Sequence, residues 1–99
     1  MENSSIVVVA KIILQADKIA EALAAIETLV AGSQAEAGVI HYHAHQSRAE
    51  ATEILFYEKY ENKEALKAHT QSAHFLAFSA QAPGFLAGTP EIKQYQFLY

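Results

Sequence analysis

Cysteine and tryptophan are absent from the 99 residues, and proline occurs only twice. Without cysteine there are no disulfides, no thiolate catalysis and no cysteine-based zinc or iron–sulfur site. The usual staple of small secreted domains is missing too, so a cytoplasmic protein is expected. Basic residues are few: 7 Lys and Arg stand against 11 acids, for a net charge of −4. They form no cluster, and nucleic acid is not expected as a partner, because phosphate neutralisation needs grouped cations. A Gly-rich phosphate loop, a dinucleotide fingerprint, a paired-acid motif and a Gly-x-Ser-x-Gly elbow are all lacking. Any redox chemistry therefore proceeds without a nucleotide cofactor held by a familiar motif. Met1 to Ser5 is short and acidic, and the apolar run Ile6 to Leu14 is interrupted by Lys11. That run is expected to be neither a signal peptide nor a membrane span.

The apolar fraction of 52% is that of a globular chain. Its length suits a single domain over 1–99, small enough that a homodimer sharing a core is attractive. Ile6 to Leu14 is β-branched and apolar on both faces, the pattern of a central strand covered on both sides. Asp17 is placed to cap a helix running to about Ala35, with Ile19, Leu23, Ile26 and Val30 on its inner face. Gly38 marks a turn into a strand from Val39 to Gln46. Ser47 to Thr52 is a polar connection of hairpin length, leading to a strand from Glu53 to Tyr60. Asn62 caps a helix from Lys63 to Thr70, and Ser72 re-caps a stretch that stops at Pro83-Gly84. A last strand is expected from Glu91 to Tyr99. The order is β-α-β-β-α-β, an α+β ferredoxin-like fold with a four-stranded antiparallel sheet and helices on one face. The other face then needs a cover, and a second copy is the simplest one.

His69 and His74 are the first candidates for chemistry. On one continuous helix they would diverge by about 140°, but a break at Ser72 lets both look into one cavity. A neutral His there accepts a proton from a phenol or donates to a carbonyl; equally, it can satisfy a backbone group at the helix junction. His41, His43 and His45 share one strand face. Two of them could hold a metal, but no carboxylate motif completes a site, and a polar face at a dimer contact or in solvent is favoured. No metal is assigned. Tyr42, on the apolar side with Ile40 and Ala44, fills core or holds an oxygenated ring. Glu58, among Phe56 and Tyr60, must have a raised pKa or a partner. Phe56, Phe75 and Phe78 can line a pocket for a flat ring or simply fill the core.

Taken in order, Glu36-Ala37-Gly38, Tyr42, Phe56-Tyr57-Glu58, Ala65-Leu66-Lys67-Ala68-His69 and Ser72-Ala73-His74-Phe75 closely resemble the antibiotic biosynthesis monooxygenase domain. Members typically have Pro where Ala37 and Ala73 stand here, which changes turn rigidity rather than chemistry. The resemblance implies cofactor-independent oxidation of a quinol or hydroxylated aromatic by O2. In that chemistry the protein deprotonates the substrate and the anion passes an electron to O2. It implies His74 as base or orienting group and His69 as a second polar contact. Tyr42 would be a donor to a ring oxygen, Glu58 a partner fixing one of these, and Phe56, Phe75 and Phe78 further substrate contacts. Haem-degrading relatives resemble an Asn-Trp-His arrangement that this chain lacks. An isomerase of a phosphorylated autoinducer sugar, and a non-catalytic ligand-binding or stress-response dimer, remain as alternatives.

Overall fold

A computed structural model describes residues 4–99; Met1, Glu2 and Asn3, part of the acidic start, lie outside the described residues. The elements are β1 (Ile6–Ile13), α1 (Ile19–Gln34), β2 (Val39–Gln46), β3 (Glu53–Tyr60), α2 (Lys63–Thr70), α3 (Ala73–Gln81) and β4 (Glu91–Gln96). A short 3-10 turn, Ala82–Gly84, follows α3. The sheet order is β2-β3-β1-β4 with every neighbouring pair antiparallel. This is the expected α+β ferredoxin-like arrangement.

The core lies between the sheet and the helices. Alternation along β1 and β3 sends Val8, Ala10 and Ile12, with Ile54, Phe56 and Tyr60, to the helix side, where all six are buried. On the opposite face Ile13, Leu55, Tyr57 and Tyr95 remain 37–50% exposed. His41, His43 and His45 are exposed on that same face.

Several local expectations are corrected. Asp17 does not cap α1: Lys18 occupies the N-cap position and no side chain bonds there. The helix start is set by a backbone turn, Lys18 N–H donating to the Gln15 carbonyl at 3.0 Å. The buried stripe of α1 is Ala22, Ile26, Leu29 and Ser33, while Leu23 is 38% exposed. Ala22 and Ser33, both fully buried, let the helix lie closer to the sheet than larger side chains would. The pairing of β2 with β3 shifts register between Val39 and His41. This bulge leaves Ile40 45% exposed instead of sharing the apolar side with Tyr42. β4 ends at Gln96, where its partner β1 begins at Ile6, so the strand expected to reach Tyr99 runs out of ladder.

Candidate functional site

Strand register lays down the floor of the site. Tyr42 on β2 faces Glu58 on β3, Glu58 faces Val8 on β1, and Val8 faces Gln94 on β4. The adjoining row is Ala44, Phe56, Ala10 and Ile92. Ala10, at the centre of the sheet, is too small to fill the space between sheet and helices. A cavity of about 410 Å³ results. Its wall includes Tyr42, Phe56, Glu58, His69, Phe75 and Phe78, with Pro90, Ile92 and Gln94 from the β4 side. The lining is mainly apolar with a few polar groups, as is usual for small-molecule sites.

The helix junction turns on Ser72. Its hydroxyl accepts from Phe75 N–H at 3.3 Å and donates to the His69 carbonyl at 2.6 Å, closing α2 and opening α3. Asn62 Oδ1 accepts from Ala65 N–H at 2.9 Å to start α2. A methyl at Gly38 would overlap Ala65 Cβ, so close approach of α2 is what demands glycine there. With the helices so placed, both histidines reach the same atom. His69 Nδ1 lies 2.8 Å and His74 Nε2 2.5 Å from Glu36 Oε2.

Six of the seven side chains singled out from sequence therefore meet on one cavity wall. His74 is not among them. It sits on the far side of Glu36 and lines an outer groove between α1 and α3. Glu36 was legible only as the acid of a turn; its proximity in sequence to Gly38 was the available signal. Two histidines and a carboxylate form a possible metal donor set, with ligating atoms within 4.8 Å of one another. The observed separations are nevertheless those of hydrogen bonds. Two ligands at 2.0–2.1 Å from one tetrahedral ion stand roughly 3.3 Å apart.

Burial dominates the electrostatics. It pushes the Glu58 carboxyl up to about 7, with Tyr60 and Tyr42 partly offsetting it. Tyr60 donates to Glu58 Oε1 at 2.6 Å. Burial and the Glu58 charge raise both the Tyr42 and Tyr60 phenols well above their ordinary value. The His69 imidazole is lowered by burial, against the opposing pull of Glu36. His69 is 2% exposed and is boxed in by the rings of Tyr42 at 5.1 Å, Phe75 at 5.1 Å and Tyr60 at 5.5 Å.

A family model described as antibiotic biosynthesis monooxygenase matches residues 5–81. The chain belongs to this family. Among relatives, "Putative monooxygenase YcnE" of Bacillus subtilis is 30% identical over 87 residues, 88% of this chain and 92% of that protein. The uncharacterized protein sll1783 of Synechocystis sp. is 35% identical over 94 residues, 95% of this chain. The chain spans 64% of the length of sll1783. Among solved structures, PA3566 from Pseudomonas aeruginosa superposes with a TM-score of 0.92 at 27% identity, over 100% of this chain and 99% of that one. A "putative antibiotic biosynthesis monooxygenase" from Caulobacter crescentus gives a TM-score of 0.92 at 28% identity, over 99% and 93%.

Proposed function

We propose that this member of the family oxidises a quinol or other hydroxylated aromatic with O2, using no added cofactor. The observation that carries the reading is the mainly apolar cavity with His69, Tyr42 and Glu58 on its wall. Phe56, Phe75 and Phe78 offer faces and edges to a flat ring. His69 is the base in this proposal, because it reaches the cavity and His74 does not. It takes the proton from a phenolic hydroxyl, leaving the phenolate to reduce O2 by one electron. Recombination forms a carbon–oxygen bond, one oxygen atom stays on the ring, and the other leaves as water with two hydrogens of the substrate. The substrate supplies both electrons, so no external reductant is required. Tyr42, kept protonated by burial, donates to a ring oxygen, where it stabilises developing negative charge.

A second copy of the chain completes the proposal by covering the outer sheet face. Ile13, Leu55, Tyr57 and Tyr95 support this, sharing that face at 37–50% exposure. No helix among the described residues is long and apolar enough to cross a membrane.

The test is oxygen uptake by metal-stripped protein with a panel of reduced naphthoquinols and anthrones. Uptake above buffer autoxidation, lost in Ala10→Leu (which fills the cavity) and in His69→Ala, is the expected result. Absence of uptake on every member, with aromatic ligands still bound, overturns the catalytic reading in favour of a binding domain.

A further inference from the structure

Glu36 and His74 have no task in the reaction as described, since neither lines the cavity. Yet Glu36 is bonded to the one imidazole that does, and His74 is bonded to the same Glu36 oxygen. We infer that Glu36, held in place by His74, is a positioning residue that locks His69 in the tautomer with its Nε2 lone pair turned to the substrate. The inference rests on the proposed role of His69 as base and deepens it.

The argument begins from hydrogen-bonding capacity. An ionised carboxylate only accepts, and a neutral imidazole carries one N–H and one bare nitrogen. Glu36 Oε2 receives His69 Nδ1 at 2.8 Å and His74 Nε2 at 2.5 Å. Both nitrogens must therefore carry protons. With its proton on Nδ1, neutral His69 keeps Nε2 bare. Among the described residues Nε2 has no hydrogen-bond partner in the protein, which leaves it for a substrate hydroxyl. When the substrate O–H bond breaks and the proton moves to Nε2, the resulting imidazolium still holds its Nδ1–H on Glu36. The buried positive charge then has its counter-charge in place. A carboxylate that orients a catalytic histidine and stabilises its imidazolium plays the same part in serine hydrolase triads.

His74 contributes by restraining Glu36. The carboxylate is 16% exposed, and without a second donor it would be free to turn to water. The His74 ring is itself seated against α1 at Gly32, where an added Cβ would stand 2.6 Å from its Cγ and 2.8 Å from its Nδ1. The Ser72 cap places His74 in the first turn of α3. Turn, cap and glycine all contribute to the position of one carboxylate oxygen.

Long-range 1H–15N spectra of the uniformly labelled wild-type protein at neutral pH read the tautomer directly, without substrate or turnover. The expected spectrum shows His69 protonated at Nδ1 and bare at Nε2. Glu36→Ala should shift His69 towards the Nε2–H form, whereas Glu36→Gln, whose amide oxygen still accepts, should keep the original tautomer. If the family substrate class is turned over, Glu36→Ala should lower kcat about a hundredfold with little change in KM, and Glu36→Gln should recover part of it. A wild-type His69 protonated at Nε2, or an unchanged tautomer in folded Glu36→Ala, overturns the inference. The expected tautomer together with no oxygen uptake would remove the oxygenase reading and leave the positioning intact. Should Glu36→Ala not fold, the wild-type spectrum alone remains decisive.

Discussion

Tyr60 donates a 2.6 Å hydrogen bond to Glu58 Oε1, two residues earlier on the same strand. Both side chains point to the helix side, and both residues are buried, Tyr60 completely. The bond eases the burial of a carboxylate that lies directly across the sheet from Tyr42. Removing it in Tyr60→Phe should raise the Glu58 pKa beyond about 7. Carboxyl-detected NMR titration measures this, and an unchanged or lower value would contradict the role given to the pair.

Stability should depend on pH through Glu58. Its folded pKa, about 7, lies above the ordinary 4.5, so the folded state holds its proton longer than the unfolded one. This contribution is fully present below pH 4.5 and is lost as pH rises through about 7. Glu58→Gln imitates the neutral form throughout. Its stability advantage over the native protein should grow across that window and reach about 3 kcal/mol at most. His69 acts in the opposite sense: its lowered pKa contributes stability above about 6.5 that is lost on acidification. Urea unfolding of both proteins from pH 4 to 8 separates the two effects.

Gly32→Ala should destabilise the protein by about 1–3 kcal/mol, because a methyl there must push against the His74 ring. The usual gain from replacing a helical glycine, about 1 kcal/mol, would dominate if His74 could swing away freely. Chemical denaturation decides the sign.

Ser33 Oγ is buried and makes no hydrogen bond among the described residues. It lies close enough to the Tyr42 hydroxyl to pull that phenol's pKa down as a hydrogen-bond partner would, though the contact falls short of full bonding geometry. Ser33→Ala should therefore stabilise by about 1 kcal/mol. A loss of stability in the same denaturation assay would show that the hydroxyl has a partner in solution.

Leu55→Asp places a charge among Ile13, Tyr57 and Tyr95 on the outer sheet face. Sedimentation should show the native chain as a dimer and this variant as a monomer with an unchanged helix signal. A native monomer would dismiss the proposed pairing of copies.

Sequence pattern reached far into this fold because its strands and helices obey different periods. Two-residue alternation put Phe56, Glu58 and Tyr60 on one face of β3, and Asn62 and Ser72 marked two helix starts from their capping chemistry alone. It went astray where the deciding contact is distant. The start of α1 followed a backbone turn rather than Asp17, and its buried stripe followed Ala22 and Ser33, whose small size matters only against a sheet. The bulge at Ile40 has no local signature, since it arises from the register between two strands.

For the site, the sequence by itself determined which residue types were available: histidines at a helix break, a tyrosine and a glutamate on facing strands, and several phenylalanines. Residue identity and local periodicity suffice for that. Only the tertiary structure decided that His69 faces the cavity and His74 faces away, and that Glu36 joins them. Those relations depend on how far α2 approaches β2 and how sharply the chain turns at Ser72. Both are set by packing between segments more than thirty residues apart, and local pattern carries no record of such distances.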